Sequence, residues 1–198
     1  MKRLAIVGSA ASGGAAQVID AILTGPQYKA VAIFDNDESL LGKFVLSVPV
    51  IASSDKVVEY WKRHEFDEVI IAIGGNLNER QRLFDEFNFL GIPFANVIDR
   101  SAKLRSAVNI GRGNVILANV FIGPHVTLGD NCYLITNTCI NHDSVVGSHV
   151  YFSAGCVIAG NVKVGDRVRF DTASGSKANI KIKDDFIVPA GKILLESP

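Results

Sequence analysis

Residues 116–152 read ILANVFIGPHVTLGDNCYLITNTCINHDSVVGSHVYF, and every sixth of them, Ile116, Ile122, Leu128, Leu134, Ile140, Val146 and Phe152, is aliphatic or phenylalanine. The series extends in both directions. Stepping by six from Ile98 to Leu194 gives sixteen such residues in seventeen slots, Ser176 being the one break. Neither a helical period of 3.6 nor a strand period of 2 produces this spacing; a hexapeptide repeat does. Two positions before the slots stand small or β-branched residues such as Ala102, Val108, Val120, Cys132, Thr138 and Cys156. Glycine follows several slots, at Gly111, Gly123, Gly129, Gly147 and Gly165. That pattern predicts short flat strands with a turn at each corner. Three hexapeptides form one triangular coil, the slot residue fills its interior, and the chain from Ile98 onward makes about five to six coils. Coils stack by strand pairing, and a bare end coil is an adhesive edge, so the N-terminal half is available to cover the first one.

The first 95 residues carry a different pattern. Leu4–Val7 reads as a buried parallel strand, followed by a loop with Gly8, Gly13 and Gly14 and an apolar helix from about Ala15 to Leu23. A second strand is expected at Ala30–Phe34, a capped helix opens at Asp55, a strand spans Glu68–Ile73 before Gly74-Gly75, and a helix spans Asn78–Leu90, stopped by Gly91 and Pro93. Alternating strands and helices predict a small parallel, Rossmann-like α/β sheet. The expected division is therefore an α/β domain over 1–95 and a parallel β-helix over 96–198. Strand, glycine loop, helix and Asp35 imitate a dinucleotide site, but Gly8 and Gly13 are not spaced as GxGxxG. Three readings stay open for the loop: a dinucleotide, glycines that only turn the chain, or backbone amides and a helix N-terminus that receive a phosphate-bearing ligand.

Composition narrows the class. Lysine plus arginine equals aspartate plus glutamate at 20 each, with no basic block, which sets nucleic acid aside as a partner. Three cysteines without a CxxC pair give neither a disulfide framework nor a zinc site, so no metal is expected and a reduced, cytoplasmic setting is. The apolar run at the N-terminus is too short for a signal sequence, and no stretch approaches a membrane span.

Of the four histidines, His64 ends a polar helix, and His125 and His149 read as exposed turn residues. His142 stands two residues past slot Ile140, where it leaves the prism wall, and Asp143 follows it. An outward imidazole beside a carboxylate on a rigid coil suits a general base, and a surface histidine explains the same residues. Cys132 and Cys156 fall on small interior positions.

The segments Ile140–Gly147 (INHDSVVG), Ser153–Gly155 and Ala159–Gly165 (AGNVKVG), joined to that N-terminal half, resemble the sugar acetyltransferases that couple a small nucleotide-binding α/β domain to a left-handed β-helix. These include N-acetyltransferases for nucleotide-linked 4-amino-sugars of the bacillosamine and perosamine pathways and the sialic acid O-acetyltransferases. The resemblance implies an acetyl-CoA-dependent N-acetyltransferase for bacterial surface glycan synthesis, with direct transfer, His142 as general base and Asp143 as its partner. It implies acetyl-CoA contacts at Tyr151, Gly160, Thr172 and Ala190, in a groove between β-helices of a homotrimer. Nucleotide-sugar contacts fall on Ser12, Gly13, Gly14, Asp35, Asn36, Gly74 and Gly75. The chain departs from the resemblance where Tyr151 replaces a second histidine, and where Gly13-Gly14-Ala15 replaces glycine-histidine-glycine in a loop lengthened by Ser9 to Ala11. O-acetylation of a sugar or sialic acid is the close alternative. A β-helical scaffold without activity is the alternative of another class, and the intact His142-Asp143 pair argues against it.

Overall fold

The computed structural model describes residues 1–8 and 10–198. The chain divides into two compact units, Met1–Arg100 and Ser101–Pro198.

The first unit is a five-stranded sheet with helices. Strand β1 (Lys2–Val7) leads through the glycine loop into α1 (Gly14–Leu23), then β2 (Tyr28–Phe34), β3 (Phe44–Val45), β4 (Val48–Ala52), α2 (Val57–Lys62), β5 (Glu68–Ile71) and α3 (Leu77–Phe89). The strand order is β3-β4-β2-β1-β5. Strands β1, β2, β4 and β5 are parallel, whereas β3 pairs antiparallel with β4, so the expected parallel sheet is in fact mixed at one edge. The hairpin turn between β3 and β4 is Leu46-Ser47, both left-handed at φ 44° and 70°. It lacks the Asn-Gly or Gly-Gly signal that would have announced it. Leu4 to Val7, Ile33, Phe34 and Val69 to Ile71 are buried on both sheet faces, as parallel strands between helices require.

The second unit is a triangular prism. Its first face stacks Lys103–Leu104, Phe121–Ile122, Cys139–Ile140, Val157–Ile158, Gly175–Ser176 and Ile193–Leu194. The second stacks Asn109–Ile110, Thr127–Leu128, Val145–Val146, Lys163–Val164 and Lys181–Ile182. The third carries Val115–Ile116, Tyr133–Leu134, Tyr151–Phe152, Arg169–Phe170 and Ile187–Val188. All these pairings are parallel, with a register of eighteen residues, one coil (Ile122↔Ile140↔Ile158). The slots from Ile116 to Leu194 point inward and are buried, as are the small positions Val120, Val126, Cys132, Val150, Cys156, Val162 and Val168. Leu104 and Ile110, in the first coil, are only partly buried. Phe152 and Phe170 stack with ring centroids 4.7 Å apart. Ser176 follows Phe170 by one slot, so a large and a small filler are neighbours along the chain there.

The edges have their own period. Every sixth residue from Ala107 to Gly191 is left-handed: Ala107, Gly113, Asn119, His125, Asn131, Asn137, Asp143, His149, Gly155, Asn161, Arg167, Ala173, Asn179, Asp185 and Gly191. Asparagine, aspartate, histidine and glycine tolerate that conformation best, which explains why they recur. Glycines 111, 129, 147 and 165 lie one above another at a single edge. A Cβ on Gly129 would stand 2.6 Å from the Gly147 carbonyl oxygen, so close coil stacking demands glycine there. Beside them a side-chain ladder satisfies turn amides: Arg112 N donates to Asp130 Oδ1, Asp130 N to Ser148 Oγ, Ser148 N to Asp166 Oδ1 and Asp166 N to Asp184 Oδ1, at 2.7 to 3.1 Å.

Candidate active site

His142 occupies the turn between the first and second faces, directly before the left-handed Asp143. Two glycines shape its place. A Cβ on Gly123, one coil earlier, would lie 2.7 Å from the His142 amide nitrogen. A Cβ on Gly160, one coil later, would lie 2.6 Å from His142 Nε2. The ring therefore lies over Gly160, with 63% of the side chain exposed. Its Nδ1 stands 2.7 Å from Asp143 Oδ2. Those histidine contacts, His142 first and His125 second, hold the Asp143 carboxyl below the usual carboxylate range. An ionised carboxylate only accepts, so Nδ1 is the donor to Asp143, and in the neutral ring this tautomer makes Nε2 the acceptor.

The same carboxylate has a second partner. His125 Nδ1 lies 3.1 Å from Asp143 Oδ1. Residues 125 and 143 are left-handed positions of one edge, one coil apart, so stacking brings them together. The separation of eighteen was readable in the sequence once the coil length was known. His149 differs from its expectation as an exposed turn residue: it is 7% exposed, with Nδ1 3.0 Å from Asn131 Nδ2 at another edge. Cys132 and Cys156 are buried, and Cys139 is half-buried on the first face.

In the first unit, the loops after β1, β2 and β5 gather at the carboxyl ends of the parallel strands, where β1 has neighbours on both sides. Open α/β sheets bind ligands at such a place. Gly8 is left-handed and has no room for a Cβ, which would meet Ile73 at 2.4 Å. Gly13, left-handed at φ 85°, precedes α1, and no side chain caps that helix. Ser12 is exposed, and Gly13 and Gly14 are half-buried; Ser9 of this loop lies outside the described residues. Asp35 is committed to the loop: Oδ2 accepts from Ala10 N at 2.8 Å and Oδ1 from Asp37 N at 3.0 Å. Asn36 Oδ1 accepts from the amide and hydroxyl of Ser54, both at 2.9 Å. Behind Gly74 and Gly75, the wholly buried Arg80 donates from Nη1 to the carbonyls of Ile71 and Ile73, at 2.8 and 2.7 Å. No sequence feature pointed to this arginine. A cleft of about 750 Å³ runs from Asp35, Asn36 and Asp37 past Ser53 to Lys56 and Tyr60.

Residues 3–87 match the PglD N-terminal domain family. Over its whole length the chain superposes on a histidine-to-alanine variant of GDP-perosamine N-acetyltransferase from Caulobacter crescentus, solved with CoA and GDP-perosamine. That likeness has a TM-score of 0.89 at 26% identity and covers 90% of the other chain. In fold the chain resembles the hexapeptide-repeat sugar acetyltransferases along its whole length, and in sequence it matches the PglD N-terminal domain over residues 3–87. It is an acyltransferase, and its prism is the left-handed parallel β-helix of those enzymes. The acetyltransferase domain of PglB from Neisseria gonorrhoeae shares the fold, with a TM-score of 0.89 at 23% identity, covering 100% of this chain and 94% of that one. So does WeeI from Acinetobacter baumannii, with a TM-score of 0.65 at 18% identity, covering 97% and 94%. No curated protein sequence matches the chain.

Within this acyltransferase the four expected coenzyme A positions are not all together. Gly160 shares the edge of His142. Thr172 and Ala190 stand one coil apart on the edge between the third and first faces, both exposed, and Tyr151 lies half-buried on the third face, opposite the edge of His142. Ser153 Oγ and Thr172 Oγ1 are 3.0 Å apart. The Tyr151 hydroxyl is pushed above its ordinary pKa chiefly by burial, opposed by a hydrogen bond with Ser153. Among the described residues no group of three or more His, Cys, Asp and Glu side chains is placed to hold a metal, and no helix is long and apolar enough to cross a membrane.

Proposed function

We propose that the protein is an acetyl-CoA-dependent N-acetyltransferase acting on a nucleotide-linked 4-amino-sugar, with His142 as general base. The observation that carries this reading is the His142 ring itself. It is exposed, lies over a glycine, and its Nδ1 is tied to an ionised carboxylate, which leaves Nε2 free to accept a proton. The relative solved with CoA and GDP-perosamine supports the same substrate class.

Acetyl-CoA supplies an activated thioester. The sugar amine attacks its carbonyl carbon as Nε2 takes the amine proton; a nitrogen–carbon bond forms, the carbon–sulfur bond breaks, and the proton passes from His142 to the departing thiolate. Asp143 holds the ring in the tautomer that this requires and stabilises the imidazolium. The acceptor's nucleotide goes to the first unit, its phosphates toward the uncapped start of α1 and Gly13-Gly14, beside Gly74-Gly75. Ser12, Asp35 and Asn36 shape that crevice, the last two by fixing the loops around it.

Tyr151, Ser153, Thr172 and Ala190 offer a partly polar strip fitted to an extended pantetheine chain. Because this strip and His142 occupy different sides of one prism, a single site that uses both takes them from two copies, which favours a homotrimer with cofactor grooves between prisms. A cytoplasmic protein in bacterial surface glycan synthesis is the corresponding setting.

The test is release of free thiol from acetyl-CoA with GDP-, UDP- and dTDP-linked 4-amino-sugars and with sialic acid, followed by the mass and amide character of the product. An amide on one nucleotide amino-sugar supports the reading. An ester product, or acetylation of sialic acid alone, replaces it with O-acetylation. A folded protein inert toward all of them replaces it with a scaffold.

A further inference from the structure

We propose that His125 is a positioning residue for His142, acting through Asp143: it pins one carboxylate oxygen so that the other faces the His142 ring. The inference rests on the reading of His142 as the base.

The three side chains form one chain of contacts on an exposed edge. His125 Nδ1 is 3.1 Å from Asp143 Oδ1, and Asp143 Oδ2 is 2.7 Å from His142 Nδ1. Asp143 is 52% exposed, and the terminal torsion of an aspartate is broad and soft. With only His142 as partner, the carboxylate could turn toward water without losing a buried contact. A second donor on the opposite oxygen fixes its plane. Both imidazoles then donate from Nδ1, and the ring over Gly160 keeps Nε2 bare.

Similar pairs along these edges are structural rungs. Asn161 Nδ2 donates to Asn179 Oδ1 at 2.6 Å on this same edge, and Arg167 bonds Asp185 on the next. The rung at Asp143 differs because its other oxygen serves a residue outside the ladder, His142. A rung that only supports the fold would leave the tautomer of His142 unchanged when removed. A positioning residue would not.

The three edges supply the controls. Ala107 and Ala173 hold the same left-handed position elsewhere, so His125→Ala is compatible with the backbone, and Asn119, Asn131, Asn137 and Asn161 show that asparagine also fits there. Asparagine also keeps a donor for Oδ1.

The experiment is a long-range proton–nitrogen NMR spectrum of the His142 ring in the full-length protein, for the natural chain, His125→Ala, His125→Asn and Asp143→Asn. It needs no substrate. The expected result is an Nδ1-protonated ring in the natural chain, a mixed tautomer in His125→Ala and recovery in His125→Asn. In the transfer assay, kcat should fall about tenfold in His125→Ala with both KM values kept, and most of the rate should return in His125→Asn. An unchanged tautomer in His125→Ala, with Asp143→Asn altering it, overturns the role of His125 and leaves the His142–Asp143 pair standing. A His142 ring indifferent to both changes overturns the role of Asp143 as well.

Discussion

Gly160→Ala separates the chemistry from the fold. A Cβ at Gly160 would lie 2.6 Å from Nε2 and 2.7 Å from Cε1 of His142, against ordinary contacts that begin at 3.4 Å. The ring must therefore move by roughly 1 Å, and a misplacement of that size in a reacting group costs about a hundredfold in rate, or about 2.7 kcal/mol of transition-state stabilisation. The fold should hardly notice. Gly160 is outside the left-handed region, and the atoms struck are the free end of a largely exposed side chain that can swing into water. Stability should stay within about 0.5 kcal/mol and Tm within about 2 °C. Thiol release at saturating acceptor gives kcat, and circular dichroism gives the melt. An unchanged kcat in a folded variant would refute the argument from ring position. A higher KM for the acyl donor with kcat preserved would instead assign Gly160 the cofactor contact that the resemblance implies.

Gly129→Ala should behave in the opposite way, because its Cβ meets the rigid Gly147 carbonyl rather than a mobile ring; the overlap should cost about 1–3 kcal/mol, read as a Tm lower by about 3–10 °C. Phe170→Ala removes one ring of the stacked pair inside the prism and should cost about 3–5 kcal/mol by denaturant unfolding. Arg80→Met leaves the Ile71 and Ile73 carbonyls without their buried donor, costs about 2–4 kcal/mol, and loosens the Gly74-Gly75 turn, so calorimetry should show weaker binding of the nucleotide-sugar. Arg3 holds the Asp67 carboxyl down at about 2. A carboxyl depressed in the folded state stabilises above its unfolded pKa and loses that contribution as pH falls through the folded one. The acid limb of thermal stability between about pH 4 and 2 should therefore be shallower in Asp67→Asn.

The prism was legible because a slot residue must point inward once per hexapeptide whatever else changes, and Ser176 could break the series without hiding it. The edges were harder. His125, Asp143 and His149 share a left-handed backbone position, and one-dimensional reading treats them as unrelated turn residues. Only an eighteen-residue step aligns His125 with Asp143 and Asn131 with His149, and it separates the exposed pair from the buried one. In the first unit, β4 and its short antiparallel neighbour escaped notice because Leu46 and Ser47 turn the hairpin without glycine. Strand β5 ends at Ile71 rather than Ile73, and the Ile73 carbonyl goes to Arg80, a contact between residues whose types gave no hint of it. Asp35 illustrates a further limit. Its place after β2 drew attention for ligand contact, whereas its oxygens hold the backbone of two loops.

The most direct measurement is the rate of acetyl transfer to the preferred nucleotide 4-amino-sugar by the natural chain and by His142→Ala, both at saturating substrates and both shown to melt alike. Loss of the general base should lower kcat by about 10²–10⁴-fold while leaving acetyl-CoA and acceptor binding nearly unchanged. A His142→Ala protein that transfers acetyl at the natural rate would contradict the account, because the exposed ring over Gly160 would then have no part in the reaction.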